Sequence, residues 1–359
     1  MSLKRKLKIG IFTQGFYPVS AETIKATELF AFNLATGLEK KGHEVHVFGG
    51  HGTKGAFISH LPTTSKHTLE NVINNPYPES AYVISHFRNF IEESNRQEFD
   101  LIHDQATWIN LALACYSNAP VISTLHGIRP KSGWSEFYKS NSSVYYIAPS
   151  QFAKKESPDF RFFRVINHGI DLNVFQYSKD KVDGFLSIGR IIPDKGQLDA
   201  IQATKIAAEN LVIAGYKPKY YFDDLYYEKV VQEAKEMPNV DFVGRTDHRN
   251  VPKLMAGKKA LLMPIKNVEV FGLVMAEAMA CGTPVIAYDR EPVREIVKEG
   301  VSGFIVKKDD VFALADAMKK IDNIDRKKCR EWAEKNFDLK QMVDNYEQAY
   351  LDIVNGRSA

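Results

Sequence analysis

The chain has 359 residues, of which 44% are hydrophobic and 25% charged, and its formal net charge is +3. This composition excludes a disordered chain, and the small charge argues against nucleic acid as the main partner. No apolar run reaches the ~18 residues of a membrane span, and the basic residues 4–6 precede too short an apolar stretch for a signal peptide. Three distant cysteines without a CxxC pair indicate reduced thiols, so we expect a cytoplasmic protein of about two domains.

The first part of the chain alternates apolar runs with helical patterns. Residues 7–12 predict a strand, and residues 22–41 carry apolar side chains at four-residue spacing, which predicts a helix. Gly42 ends that helix, and residues 44–48 predict the next strand. A strand–helix–strand unit of this length predicts a right-handed crossover and parallel strands. Residues 53–79, rich in Pro, Thr and Asn, predict an irregular insertion.

The alternation of strands and helices continues and then begins again after residue 183. Further strands are predicted at residues 100–103, 120–125, 145–148, 163–166, 184–189, 210–214, 240–243, 260–264, 284–287 and 303–306. Two separate parallel α/β domains are therefore expected, joined near residues 167–183. A last helix is predicted from Asp338, where Asp338 and Gln341 form a capping-box pattern, to about residue 354.

A glycine opens a predicted helix between two glutamates. Gly272 precedes a helix at residues 273–280, and the first turn of such a helix has unpaired N–H groups and the positive end of the dipole. This helix start suits a phosphate or a sugar oxygen. Glu269 and Glu277 could then face one cleft and accept hydrogen bonds from vicinal hydroxyls of a sugar or ribose. The residues alone equally allow a plain strand–loop–helix with two solvated glutamates.

Two cations follow the predicted strand that ends at Gly189. Arg190 and Lys195 could clamp a diphosphate through charge-assisted hydrogen bonds, since ligands of open α/β sheets bind at the carboxyl ends of strands. His126 follows another predicted strand and points to the same kind of crevice. The alternatives are a pair of solvated surface cations and a structural histidine.

Several familiar motifs are absent from the sequence. No GxGxxG follows the first strand, which disfavours a nicotinamide dehydrogenase, and there is no Walker P-loop, no GxSxG elbow and no His/Cys cluster with metal spacing. No Asp-x-Asp triplet occurs, which weakens a site where carboxylates share a divalent cation with a diphosphate. We therefore expect neither a metal ion nor a cofactor.

Together these segments resemble the retaining family 4 glycosyltransferases with the GT-B fold. The resemblance rests on Glu269 and Glu277, the pair of that family's Glu-x7-Glu signature, and it extends over almost the whole chain in the expected order. Further matching residues include Phe271, Gly272, Arg190, Lys195, Gly196, the run Thr124 to Gly127, and blocks within residues 167–171, 278–285 and 295–306. The resemblance implies two Rossmann-like parallel-sheet domains facing a central cleft, with the C-terminal helix crossing back to the first domain.

The resemblance also implies a role for each domain and for individual residues. Residues 1–164 with the crossing helix 338–359 would bind the acceptor, and residues 165–337 would bind a nucleotide diphosphate sugar. The residues implied to act in catalysis are His126, Arg190, Lys195 and Glu269. The residues implied to bind the donor are Gly15, Arg190, Lys195, Val243, Gly244, Glu269, Phe271, Gly272, Leu273 and Glu277.

The sequence departs from the family pattern in two places. Ser20-Ala21 stands roughly where the family often has a Gly-Gly pair near the diphosphate, and Gly15 would serve instead. The segment Arg290-Glu291-Pro292 replaces a glycine, which would either alter the cleft near the nucleotide or be a surface change only.

The function implied is metal-independent transfer of a hexosyl unit, with retention, from a nucleotide diphosphate sugar to an acceptor hydroxyl in carbohydrate biosynthesis. A UDP-sugar is favoured over GDP-mannose, and the acceptor is an unidentified carbohydrate, lipid or small molecule. The alternatives are a nucleotide-sugar-binding protein without transfer activity, and an epimerase or phosphorylase of the same build. The basic residues 4–8 suggest a further alternative, a peripheral protein at the inner face of a membrane.

Overall fold

The computed structural model describes residues 5–23, 25–60, 76–106, 113–127, 143–180, 183–218 and 224–356. The chain divides into two compact units, Met1–His168 with Lys340–Ala359 and Gly169–Leu339. No helix in the described ranges combines the length and the apolar character of a membrane span.

The first unit is built on a sheet of short, largely buried strands. Its described strands are β1 (Lys8–Phe12), β2 (Glu44–Phe48), β3 (Ile58–His60), β4 (Leu101–Asp104), β5 (Val121–Thr124), β6 (Val144–Ala148) and β7 (Phe162–Val165). Their order is β3-β2-β1-β4-β5-β6-β7, and all neighbours are parallel. The helices between them are α1 (Ala26–Lys40), α2 (Pro76–Gln97) and α3 (Gln151–Glu156). Every residue of β4 and β5 is buried, as expected for parallel strands covered on both faces.

The second unit repeats this architecture. Its described strands are β8 (Phe185–Arg190), β9 (Leu211–Tyr216), β10 (Val240–Gly244), β11 (Leu261–Met263), β12 (Val285–Tyr288) and β13 (Gly303–Val306). They are all parallel in the order β10-β9-β8-β11-β12-β13. The helices are α4 (Gln197–Ala207), α5 (Asp224–Glu236), α6 (Val251–Met255), α7 (Leu273–Ala280), α8 (Val293–Ile296), α9 (Val311–Lys320) and α10 (Arg326–Phe337). The prediction of two parallel α/β sheets is confirmed.

The last helix, α11 (Leu339–Val354), follows α10 after the single extended residue Asp338. It packs in the first unit, where a side chain on Gly37 of α1 would overlap Val343 of α11. Tyr346 and Tyr350 are fully buried there. The amphipathic face of this helix therefore completes the core of the first unit.

Two local predictions are wrong. Helix α1 begins at Ala26 rather than at residue 22, because Lys25 has an extended backbone and Thr23 N donates to Ser20 O (3.3 Å) in a preceding turn. The predicted insertion at residues 53–79 contains β3 and the start of α2, while its residues 61–75 lie outside the described part of the chain. Strand β3 is a short edge strand beside β2, so its sequence carries little of the apolar signal that marks the central strands.

Candidate functional site

A tight turn follows β8 and places Lys195 at the carboxyl edge of the second sheet. A 3-10 turn spans Pro193–Lys195, and Gly196 then adopts a positive φ of 67° before α4. A side chain on Gly196 would overlap the carbonyl oxygen of Pro264, which follows β11. Lys266 N also donates to Asp194 O (2.8 Å). The turn and the loop after β11 are therefore held together by backbone geometry.

Lys195 forms an ion pair across this junction with Glu269, through Nζ and Oε1. The two side chains are 16% and 25% exposed. Burial and the charge of Arg190 lower the pKa of Lys195 to about 8, and the Asp194 carboxylate opposes this shift. Contact with the Glu269 carboxylate also favours the charged ammonium, so Lys195 is a cation at neutral pH.

Arg190 is the last residue of β8, and its side chain is exposed. Its backbone carbonyl accepts a hydrogen bond from Gln197 Nε2 at 2.9 Å, which fixes the chain where the strand ends. The structure therefore brings Arg190, Lys195 and Glu269 to one region, with two cations and one carboxylate at the sheet edge.

The loop that carries Glu269 leads directly into α7. Phe271 is 2% exposed and packs edge-on against Phe337 at 5.7 Å, which anchors the loop. Gly272 has a φ of 93° at the N-cap, where a side chain would overlap Met275. The helix then begins at Leu273, so its first-turn N–H groups start one residue after the glycine. This is the local geometry that the sequence predicted for an anion or a sugar oxygen.

The segment that replaces the expected glycine contacts this loop. Glu269 N donates to Glu291 O at 3.2 Å, and Arg290 donates to Asp309 Oδ2 at 2.6 Å. The departure is therefore not a surface change only, because its backbone holds the residue that pairs with Lys195.

A polar cluster that the sequence analysis missed supports the same junction. Lys266 pairs with Asp199 of α4 and lies 3.4 Å from Asp309. Tyr288, at the end of β12, donates to Asp199 Oδ2 at 2.6 Å, and burial raises the pKa of its hydroxyl. These residues lie in separate segments and share no sequence motif. Their position at strand ends, or on the helix that follows a strand, was the only sequence feature that could have indicated the cluster.

Glu277 lies on α7 and has a different partner from Glu269. Its side chain is 13% exposed, and its Oε1 lies 3.9 Å from His248 Nε2. His248 belongs to none of the motifs recognised in the sequence. Glu269 therefore pairs with a lysine, whereas Glu277 faces a histidine.

The end of β10 exposes both backbone and side chain. Val243 is 51% exposed, and Gly244 has a φ of 66° with open space where a side chain would project. Beside it, the Arg245 guanidinium lies 5.4 Å from the centre of the Tyr216 ring at the end of β9. The family resemblance implied a donor contact at Val243 and Gly244, whereas no sequence pattern indicated this cation–π pair.

His126 and Gly15 lie in the first unit. His126 Nε2 is 2.7 Å from Gln105 Oε1, and its ring packs against Phe30 and His168 at centroid distances of 5.0 and 5.3 Å. Burial lowers the pKa of His126 to about 4, so the ring is neutral at pH 7. Gly15 has a φ of 80° after β1.

A hydrogen-bonded chain of neutral groups continues behind His126. His103 contacts Tyr350 Oη through Nδ1 (2.5 Å) and Thr124 Oγ1 through Nε2 (2.8 Å), and Thr124 contacts Tyr346 Oη (2.9 Å). Gln105 Nε2 lies 2.8 Å from His103 Nε2 and so joins this chain to His126. Among the residues with described positions, no group of three or more His, Cys, Asp or Glu side chains is arranged to hold a metal ion.

Comparisons with known proteins give consistent matches. The family described as glycosyl transferases group 1 matches residues 171–338, and Glycosyltransferase Family 4 matches residues 27–174. The chain is 29% identical to an uncharacterized 41.2 kDa protein in the cps region of Klebsiella pneumoniae, over 50% of this chain and 48% of that protein. It is 24% identical to N-acetyl-alpha-D-glucosaminyl L-malate synthase of Bacillus anthracis, over 97% and 98% of the two chains.

One solved structure with the same fold is HepE from Anabaena in complex with UDP-glucose. The two chains superpose with a TM-score of 0.71 at 18% identity, over 96% of this chain and 100% of the other. The chain thus spans about half the length of the Klebsiella relative and nearly all of the Bacillus synthase.

Proposed function

Because the chain belongs to the family 4 glycosyltransferases with the GT-B fold, we propose that it transfers a hexosyl unit from a nucleotide diphosphate sugar to an acceptor hydroxyl. The transfer would retain the anomeric configuration and need no metal ion. Residues 165–337 would bind the donor, and residues 1–164 with the helix at 338–359 would bind the acceptor. We place this reaction in the cytoplasm, or at the inner face of a membrane if the acceptor is a lipid.

The observation that carries the proposal is the pair of Lys195 and Glu269 beside Arg190. As the glycosidic bond breaks, negative charge grows on the leaving diphosphate. Lys195, which its ion pair holds in place, the exposed Arg190 and the helix start at Gly272 would stabilise that charge, and preorganised groups are commonly the largest catalytic contribution. In this role they take the place of a metal ion.

The remaining donor contacts follow from the same region. Glu277 would accept hydrogen bonds from the ribose hydroxyls, and the backbone at Val243 and Gly244 would contact the base. Glu269, together with the N–H groups of residues 271–273, would hold hydroxyls of the transferred sugar. The binding of UDP-glucose by HepE, which shares the fold, supports a UDP-sugar as the donor.

His126 has a more limited role in this proposal. Since the ring is neutral at pH 7, it would act as a hydrogen-bond partner of a sugar hydroxyl rather than as a cation. Gly15 would allow the loop after β1 to approach the donor closely, because its positive φ of 80° is unfavourable for other residues.

The first test is a thermal-shift panel of UDP-, GDP- and ADP-linked sugars, because binding to the native state raises Tm by mass action. The donor that binds is then incubated with candidate acceptors, and the products are analysed by NMR. A new glycoside with the donor's anomeric configuration supports the proposal. An isomerised donor would indicate an epimerase, a glycosyl phosphate formed with inorganic phosphate would indicate a phosphorylase, and binding without turnover would indicate a binding protein.

A further inference from the structure

His248 is held in a fixed position facing Glu277. It opens the short turn His248–Asn250 after β10, where Asp247 accepts a hydrogen bond from Arg249 N at 3.0 Å and pairs with the Arg249 guanidinium at 2.9 Å. The imidazole edge packs on Phe175 at a centroid distance of 6.1 Å. The histidine side chain is 24% exposed, so its ring is supported on one side and reachable by solvent on the other.

The charged groups around this contact favour a protonated histidine. His248 Nε2 lies 3.9 Å from Glu277 Oε1, a distance for an ion pair rather than a direct hydrogen bond. The Glu277 carboxylate raises the pKa of His248 above its ordinary value, and Asp247 adds to this effect, while burial opposes it. The charge of Arg249 is paired with Asp247.

Cys281, the residue after α7, lies within the influence of the Glu277 charge, and burial raises its thiol pKa to about 12, so it is neutral. Arg330 and Arg326 also act on this thiol. Arg330 of α10 donates to the carbonyl of Phe175 at 2.6 Å and pairs through Nε with Glu334 at 2.6 Å. His248 is therefore the cation that pairs directly with Glu277 among the described side chains.

We propose that His248 is a positioning residue that orients the Glu277 carboxylate toward the ribose hydroxyls of the donor nucleotide. This inference rests on the role proposed above for Glu277. A carboxylate has about four lone-pair positions. An imidazolium on the Oε1 side restrains the rotation of the carboxylate and leaves the Oε2 positions open to the two hydroxyls of a ribose.

The pH dependence has a definite sign. Below the pKa of His248 the pair is charged and the carboxylate is restrained. As the pH rises through that pKa the imidazole becomes neutral, the attraction across 3.9 Å weakens, and recognition of the ribose declines. Loss of the Lys195 charge, in contrast, acts on the diphosphate and affects ribose and deoxyribose nucleotides alike.

The test compares UDP with 2′-deoxy-UDP by calorimetry at pH 6, 7 and 8, with GDP and 2′-deoxy-GDP measured in parallel. For the nucleotide that binds, the wild-type protein should prefer the ribose form roughly tenfold at pH 6, as for one hydrogen bond to a charged group, and less at pH 8. His248→Phe should lose most of this preference at every pH. His248→Gln, which keeps an N–H donor without a charge, should show at every pH only the weaker preference that the wild-type protein has at pH 8.

Two outcomes separate the inference from the function on which it rests. Glu277→Gln should lower the ribose preference whatever the role of His248. If Glu277→Gln lowers it and folded His248→Phe leaves it unchanged at pH 6, the role of His248 is overturned. If no nucleoside diphosphate binds, or Glu277→Gln has no effect, the proposed role of Glu277 fails and the inference fails with it. The Tm of each variant identifies a folding defect. If His248→Phe is not folded, the ribose preference of His248→Gln is compared with that of the wild-type protein instead.

Discussion

The carboxyl edges of the two sheets carry different chemistry. In the second unit the polar groups are charged and paired, as in Lys195 with Glu269 and Lys266 with Asp199. In the first unit the edge combines neutral hydrogen-bonded groups, as in His103 with Thr124, with the buried carboxyl group of Asp104, which accepts a hydrogen bond from Ser123 Oγ at 3.2 Å. Burial lowers the pKa of His103 well below its usual value, so this histidine is uncharged at neutral pH. The same fold, used twice, thus offers one edge whose described cations suit an anionic ligand and one whose described hydrogen-bonding groups suit hydroxyls.

The largest effect should follow from removing the Lys195 cation of the second unit. Lys195→Ala should lower kcat by roughly 10²–10³, the usual loss for one group that stabilises developing charge, with little change in Tm. The measurement is the release of nucleoside diphosphate from the donor identified by thermal shift. Lys205→Ala removes an exposed lysine of α4 and is the matched control. Unchanged turnover in Lys195→Ala would mean that the charged edge does not act on the leaving group.

The protonation of Lys195 predicts how activity depends on pH. Its pKa is lowered to about 8, so the free enzyme loses this cation as the pH rises through that value. Since kcat/KM reports ionisations of the free enzyme, kcat/KM for the donor should fall about tenfold per pH unit above pH 8. Lys195→Arg keeps a permanent charge and should remove this decline, even if its maximal rate is lower. A decline that persists in Lys195→Arg would assign the titration to another group.

Mild acid should destabilise the first unit more than the second. Burial lowers the pKa of His86 and His126 to about 4 and lowers those of His103 and His168 as well. A histidine with a lowered folded pKa stabilises the protein above its unfolded pKa near 6.5, and this stability is lost as the pH falls toward the folded value. Glu28, whose pKa burial raises to about 7, makes the folded protein more stable as the pH falls. This gain offsets the loss of stability from only about one histidine.

The first unit should therefore lose a few kcal/mol of stability between pH 7 and pH 5. Hydrogen exchange followed by mass spectrometry, corrected for the intrinsic pH dependence of exchange, should show the loss in β4 and β5. Strands β8 and β11 of the second unit serve as the internal control, because the raised pKa of His248 has the opposite sign. Equal loss of protection in both sheets would contradict the assignment of the neutral histidines to one unit.

The segments that reach the sheet edges could be predicted from the sequence. The side chains that pair with one another at those edges could not. Parallel topology places Arg190 and Lys195 after one strand and Glu269 after another, and that much follows from apolar runs and glycines. The contact of Lys195 with Glu269 joins residues 74 positions apart, and only the strand order brings them together.

The polar interior of the first unit was harder to predict. His103 lies within an apolar run and is completely buried, so its sequence context shows a strand and not a hydrogen-bonding chain. Tyr346 and Tyr350 are one helical turn apart on α11, and this spacing was a signal that their hydroxyls share one face. Their partners His103 and Thr124 could not be identified without the packing of the last helix on the first unit.

The smallest effect should come from the segment that departs from the family pattern. Arg290 pairs with Asp309 near the loop of Glu269, with side-chain exposures of 24% and 48%. Arg290→Ala removes this pair but keeps the backbone bond from Glu269 N to Glu291 O, so the loop should stay in place. Because partly exposed ion pairs contribute about 0–1 kcal/mol, we expect the donor KM to rise by no more than about fivefold, with kcat unchanged.

Arg294→Ala provides the control for this last measurement, because Arg294 forms an ion pair of the same length with Asp289 at a more exposed position. Its donor KM should not change. A rise well above tenfold for Arg290→Ala alone would show that the guanidinium itself meets the donor, and the charged edge of the second unit would then extend beyond Arg190 and Lys195. An equal change in both variants would instead point to a general effect of surface charge, which added salt should reduce.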